Sequence, residues 1–329
     1  MKTEQLLYKL VSPAGVAGDE KRSFEQLREL FSQYGTVKTD NLGSIIIERA
    51  GEGKHIMLDA HLDTIGFVVA GIENGGFLRL APVGGIDMRA VAGAELTVHG
   101  KEDIFAVICT VPPHLSKGES RPIEGDCYAD TGLTEENLKA VVSVGDSAGF
   151  KNSFSKIGEN RISSPYMDDR SGAVTLLKAL EYTESRHKIT LVLSAQEETG
   201  GSGAKCSAYS LAPDLSLAVD VSFAETPDAN KKECGKIGAG PMVGFSPTLD
   251  SEFSRLLCEI AEKEGIPYQR EVMGGRTSTN ADQISISRGA VPSALVSVPL
   301  KFMHSPNETV DLRDIENSAR LIARFLERV

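Results

Sequence analysis

Two adjacent glutamates, Glu197 and Glu198, directly follow an apolar run that ends at Ser194. The run has the length and composition of a buried strand, so the chain carries two carboxylates straight out of a sheet core. Burying a carboxylate is costly unless a cation or hydrogen-bond donors compensate for the lost water. The pair therefore indicates a cation-binding site. The alternative is that both side chains are solvated at the strand end.

Other acidic and imidazole residues lie at comparable positions, at the ends of apolar runs. They are His61, Asp63, Asp168, Asp220 and His304. Each has an ordinary structural alternative, such as a buried ion pair or a helix cap. Together they provide enough oxygen and imidazole ligands for two divalent metals. Their joint occurrence predicts the site of a metallohydrolase.

The spacing within these motifs suggests distinct roles. His61 and Asp63 are two residues apart, so on an extended strand their side chains point to the same side. Such a pair suits a metal-binding imidazole held by a neighbouring carboxylate. The alternative is a buried histidine hydrogen-bonded to an aspartate. Asp169 could cap a helix, with Arg170 as its counter-ion. Adjacent acids do not fit the paired carboxylates of glycosidases, which flank a bond at about 5–9.5 Å.

The elements that must position these residues alternate between strand and helix. This alternation covers residues 1–66 and 163–329 and predicts an α/β domain. We expect a mixed, mainly parallel sheet with helices on both faces. Between these segments, residues 67–162 show only short strand patterns separated by Gly and Pro, with a hairpin signal at Asn74-Gly75. This block predicts a small inserted β-barrel.

Composition excludes several classes of partner. The 329 residues carry a formal net charge of −11 and have no basic run, which argues against nucleic acid and anionic membrane surfaces. No apolar stretch approaches the roughly 18 residues of a membrane span. The five cysteines are scattered and form no Cys-x-x-Cys pair. This pattern favours reduced thiols in a cytoplasmic protein and disfavours a thiolate metal site.

Taken in order, the motifs resemble one family, the di-metal aminopeptidases of the glutamyl-aminopeptidase and tetrahedral-aminopeptidase type, some of which have been labelled endoglucanases. The resemblance covers nearly the whole chain, including the β-rich insert. The motifs that carry it are Ala60-His61-Leu62-Asp63-x-Ile65-Gly66, Asp168-Asp169-Arg170-x-Gly172, Gln196-Glu197-Glu198-x-Gly200, Val219-Asp220-Val221 and Met303-His304-Ser305-Pro306-x-Glu308.

The resemblance implies two metal sites that share one carboxylate. Asp168 would bridge both ions and would be joined to Asp169 by a cis peptide. The two sites would be completed by His61 with Asp220, and by Glu198 with His304. Zinc is the expected metal, with cobalt or manganese as alternatives, because oxygen and imidazole donors suit all three.

The resemblance also assigns the catalytic roles. Glu197 would be the general base that takes a proton from a metal-bridging water, and Asp63 would orient His61. Two dications lower the pKa of a shared water towards neutrality, so that hydroxide can attack a polarised carbonyl. The expected activity is removal of N-terminal residues from short peptides. The barrel is expected to be a dimerisation domain, and the homo-oligomer could range from a dimer to a tetrahedral dodecamer.

Three positions depart from the usual family pattern. Asn280 stands where an acid is usual, Lys301 where arginine is usual, and Thr64 where glutamate is frequent. None removes a ligand, so they bear on substrate preference. Two alternative functions stay open: a deacylase or deblocking peptidase on the same di-metal site, and a non-catalytic assembly protein. A glycoside hydrolase is a more distant alternative.

Overall fold

The computed structural model describes residues 1–112, 114–115, 126–227, 229–231 and 233–329. In these ranges the helices are α1 Thr3–Val11, α2 Lys21–Phe31, α3 Glu135–Val141, α4 Met167–Tyr182, α5 Ser202–Leu211, α6 Ser251–Glu264, α7 Asn280–Ser285 and α8 Leu312–Leu326. None of the helices within the described ranges combines the length and apolar character that crossing a membrane requires.

The strands of the described ranges form one large sheet, one small sheet and one barrel. Those before residue 100 are β1 Thr36–Thr39, β2 Ile45–Arg49, β3 His55–His61, β4 Gly66–Glu73, β5 Phe77–Val83 and β6 Glu95–His99. The next are β7 Asp103–Ile108, β8 Cys127–Asp130, β9 Ser147–Phe150, β10 Ser155–Ile157, β11 Arg161–Ser164 and β12 Lys188–Ser194. The last are β13 Leu215–Phe223, β14 Met242–Phe245, β15 Gln269–Val272, β16 Ser293–Leu300 and β17 Glu308–Asp311.

The large sheet has eight strands in the order β1-β2-β12-β3-β13-β16-β14-β15. Its centre is parallel, because β12 and β13 both pair in parallel with β3, and β16 pairs in parallel with β13. The pairings of β2 with β12 and of β14 with β16 are antiparallel. The predicted mixed, mainly parallel sheet is confirmed.

Helices cover both faces of this sheet because successive residues of its central strands alternate between two apolar clusters. Ile56 and Leu58 of β3 face the larger core, against which α1, α2, α4, α6 and α8 pack. Met57, which lies between them, faces a smaller cluster with Ala208 of α5 and Ile284 of α7. Strands buried on both faces read as continuous apolar runs, which explains the pattern in the sequence.

The predicted barrel is present in the structure. Strands β4 to β9 close in the order β4-β5-β8-β7-β6-β9. Inward-facing side chains such as Phe67, Leu80 and Val98 fill it. The β4–β5 hairpin turns at Gly75 and Gly76, both with positive φ, as the Asn-Gly signal predicted. After the barrel, β10 and β11 join β17 in a three-stranded sheet.

The parallel strands bring the predicted site residues to one edge of the sheet. In register, His61 at the end of β3 lies beside Ser194 at the end of β12. Asp220 of β13 lies beside Ser297 of β16. Since the carboxyl ends of parallel strands meet at the same edge, residues that follow β12 and β16 reach the same region.

Candidate metal centre

Asp168 lies between two imidazoles at the centre of the site. Its Oδ1 is 3.0 Å from His61 Nε2, and its Oδ2 is 3.2 Å from His304 Nε2. The peptide that joins Asp168 to Asp169 is cis. The backbone N–H of Asp168 donates to Glu308 Oε2 at 3.1 Å. Because its two oxygens face different imidazoles, this carboxylate can be shared between two cations.

The other predicted ligands surround this aspartate. Two sets of ligand atoms, each with its members within 4.8 Å of one another, are His61 with Asp168 and Glu198, and His61 with Asp169 and Asp220. Glu198 Oε2 is also 3.6 Å from His304 Nε2. The structure therefore brings together all five residues that were predicted as metal ligands.

Negative charge is concentrated at this site. Burial, and then the charge of Asp168, raise the pKa of Glu198 to about 8. Burial also raises the pKa of Asp220 well above its usual range. For His304, burial opposes protonation, but the hydrogen bond to Asp168 and the charge of Glu198 raise its pKa to about 10. Among the described residues, Asp168 and Glu198 form ion pairs only with histidines, and none with lysine or arginine.

The donor set fits divalent cations. Glu198 Oε1 and Asp169 Oδ2 are buried acceptors without a hydrogen-bond partner in the described part of the chain. Unpartnered buried carboxylate oxygens are costly, and a cation bound in each ligand set would remove that cost. The donors are carboxylate oxygens and imidazole nitrogens, which suit zinc, manganese and cobalt.

Asp63 holds the two glutamates in place. Its Oδ1 accepts the backbone N–H of Glu197 at 3.0 Å, and its Oδ2 accepts that of Glu198 at 3.1 Å. Asp63 also contacts the ring of His61, whose Nδ1 lies 3.0 Å from the Asp63 carbonyl oxygen and 3.7 Å from its Oδ1. The buried Asp63 carboxylate thus fixes the turn that follows β12.

Glu197 faces the same cavity but belongs to neither ligand set. The cavity measures about 590 Å³ and is also lined by His61, Asp168, Glu198 and His304. Burial raises the pKa of the Glu197 carboxyl, while the nearby His61 opposes that rise. A half-buried carboxylate that is not needed as a ligand is free to accept and release a proton.

Arg170 ties the start of α4 to neighbouring segments. Its guanidinium is fully buried and donates to the carbonyl oxygens of Leu10, Pro13 and Leu62. Burial lowers its pKa to about 10. The hydrogen-bond partners of Arg170 are thus backbone carbonyl oxygens, and the Asp169 carboxylate is not among them. Asp169 Oδ1 instead accepts the N–H of Gly172 at 3.0 Å, as a helix cap would.

The family follows from comparison of the whole chain with known proteins. Residues 43–321 match the sequence profile of the M42 glutamyl aminopeptidases. The chain belongs to the M42 glutamyl aminopeptidase family. The resemblance seen in the motifs is confirmed, and the protein is a peptidase.

Relatives of this M42 peptidase match it along nearly their full length. The lysyl aminopeptidase of Pyrococcus furiosus is 30% identical over 335 residues, which cover 99% of this chain and 97% of the relative. An aminopeptidase structure from the archaeon Desulfurococcus kamchatkensis has a TM-score of 0.93 at 34% identity, covering 99% and 95% of the two chains. The TET1 peptidase of Pyrococcus horikoshii has a TM-score of 0.88 at 31% identity, covering 100% of both.

Two residues of this M42 site were not predicted from the sequence to bind metal or to hold the ligands in place. Glu308 Oε1 accepts the N–H of His304 at 2.7 Å while its Oε2 accepts that of Asp168, so one buried carboxylate fixes two predicted ligands. Asp169 lies in a ligand set and was interpreted only as a helix cap. Glu308 was visible as part of the His304 motif, but its second backbone partner, Asp168, lies 140 residues away in the chain.

Proposed function

We propose that this M42 peptidase is a metal-dependent aminopeptidase that removes N-terminal residues from short peptides. The main support for this proposal is that the Asp168 carboxylate lies between His61 and His304, with one oxygen near each imidazole. Glu197 lines the same cavity and remains free to act as the general base. This combination supports hydrolysis of an amide bond.

Two divalent ions would be held by the five ligands that the sequence predicted. Asp168 would contribute to both sites, His61 and Asp220 would complete one, and Glu198 and His304 the other. Such ions polarise a carbonyl and make a water molecule more acidic. Zinc is our first expectation, and cobalt and manganese suit the same donors.

The proton transfers fall to Glu197. Its carboxylate accepts a proton from the attacking water as the new C–O bond forms at the peptide carbonyl. It then delivers that proton to the leaving amine nitrogen as the C–N bond breaks. Burial raises the pKa of Glu197, which makes its carboxylate a better proton acceptor than an exposed glutamate. Asp63 keeps Glu197 in position by accepting its backbone N–H.

We further propose that the chain forms a homo-oligomer through its inserted region, residues 67–162. The TET1 relative is described as assembling into a tetrahedron or a large octahedral shell. On the barrel of this chain, Phe105 is 50% exposed and Tyr128 is 49% exposed. Exposed aromatic side chains are typical of protein interfaces, so the barrel is the expected dimerisation domain.

Metal removal and restoration tests the proposed function. We expect hydrolysis of a panel of aminoacyl chromogenic substrates to be lost on chelation and restored by zinc, cobalt or manganese. Loss follows because the carboxylates and imidazoles cannot polarise the carbonyl by themselves. Activity that survives complete chelation, or no activity with metal bound, would contradict the proposal. The second result would favour the non-catalytic alternative, or acylated substrates.

A further inference from the structure

We propose that Glu271 is a specificity-determining residue that selects peptides with a basic N-terminal side chain, lysine or arginine. This inference rests on the proposed aminopeptidase function and adds the substrate class. Glu271 lines the same cavity as His61, Glu197 and His304 but belongs to neither predicted metal site. It is therefore available to contact a substrate.

The sheet fixes the Glu271 carboxylate at the cavity wall. Glu271 lies on the edge strand β15, in register with Gly244 of β14, which has no side chain to separate it from the inner strands. Ser222 of β13 donates its hydroxyl to Glu271 Oε1, and Ser297 of β16 donates to Oε2 at 2.7 Å. Both serines are buried, and Ser297 lies beside Asp220 in register. The carboxylate thus reaches across β14 towards the predicted metal site.

In the part of the chain that the structure describes, the charge of Glu271 has no counter-ion. Within the described residues, no ion pair of 4 Å or less joins it to a lysine, arginine or histidine, and its hydrogen-bond donors are neutral hydroxyls. A carboxylate has about four lone-pair sites, so two serine bonds leave acceptor capacity unused. A half-buried anion under these conditions is strongly complementary to an ammonium or guanidinium group from a ligand.

The remaining cavity wall suits the aliphatic part of such a side chain. Met242, Met273 and Leu295 line the cavity together with Glu271. Lysine and arginine carry three or four methylene groups that pack on apolar surface while the charged end reaches a polar partner. Methionine adapts readily to flexible chains of this kind.

Two arginines, Arg270 and Arg276, also border the cavity and could favour acidic substrates. Arg270 precedes Glu271 on β15, so its side chain points to the opposite face. There its guanidinium lies 5.9 Å from the centre of the Phe245 ring, and the Tyr268 hydroxyl raises its pKa. Arg276 is exposed. If Arg276 selected the substrate, peptides with an acidic N-terminal side chain would be preferred. A comparison of basic and acidic substrates therefore distinguishes Arg276 from Glu271.

The test compares kcat/KM for Lys, Arg, Leu, Ala and Glu substrates in the metal-loaded wild type and in Glu271→Gln. Glutamine keeps the size and one acceptor oxygen but removes the charge. We expect the wild type to prefer Lys and Arg over Leu by at least about tenfold. We expect the variant to lose about 10–100-fold on Lys and Arg, and to keep Leu and Ala within about twofold. Glu233→Gln, which removes an exposed carboxylate of the same cavity, should keep the wild-type preference.

Three results would overturn the inference, and they differ from one another. A wild-type preference for Glu substrates would assign selection to Arg276. An equal loss on every substrate in Glu271→Gln would make Glu271 a structural residue or a partner of the substrate amino group. No hydrolysis of any substrate by the metal-loaded wild type would refute the proposed function, and the inference with it.

Discussion

Glu197→Gln is expected to reduce kcat by about 10²–10⁴-fold while leaving bound metal unchanged. Glutamine has nearly the same shape but cannot take a proton from water or deliver one to the leaving amine. The backbone bond from Glu197 to Asp63 remains, so the turn keeps its conformation. Steady-state kinetics and elemental analysis of the same preparation check both parts of this prediction.

The adjacent glutamate provides a matched control. Glu198→Gln should lower metal content as well as kcat, because Glu198 is a predicted ligand whose Oε1 has no other partner in the described chain. The two variants differ by one position and carry the same chemical change. Substantial activity in Glu197→Gln, or loss of metal from it, would contradict the assignment of Glu197 as the base.

Asp168→Ala is expected to have the largest effect on metal binding. This carboxylate is 3.0 Å from His61 and 3.2 Å from His304, so its loss removes a ligand from both predicted sites. We expect metal content to fall from two ions to less than one per chain, and kcat to fall on the order of 10³-fold or more. Mass spectrometry of the metals, combined with kinetics, measures both effects.

Asp250→Ala is the control for that variant. Asp250 caps α6 by accepting the N–H groups of Glu252 and Phe253, and it lies outside the predicted site. Losing this cap should cost about 1 kcal/mol of stability without changing metal content. If Asp168→Ala kept two ions per chain, the shared-ligand assignment would be wrong.

Much of the fold could be predicted because its signals are local. The central strands are buried on both faces, so β3, β13 and β16 appear as apolar runs with clear ends. The Asn-Gly turn between β4 and β5 also depends on nearby residues. The predicted ligands lie at or just after the ends of such apolar runs, and the carboxyl ends of parallel strands meet at one edge of a sheet.

The sequence did not reveal which partners the buried groups would find. Asp63 was expected to orient His61, but the sequence did not show that its carboxylate also accepts N–H groups 134 and 135 residues away. Glu271 received no role, because its serine partners lie on two other strands. Such contacts depend on strand order and on turn conformation, including the positive φ of Gln196 and His304. Periodicity within a segment contains neither kind of information.

Mass spectrometry of peptide cleavage tests most directly whether this protein is an aminopeptidase. The metal-loaded protein would be incubated with a set of short peptides that differ in their first residue, each with a free or an acetylated amino terminus. We predict stepwise loss of residues from the free amino terminus and no change in the acetylated copies. Cleavage of the acetylated copies, or cleavage within the chain or from the carboxyl end, would contradict an aminopeptidase.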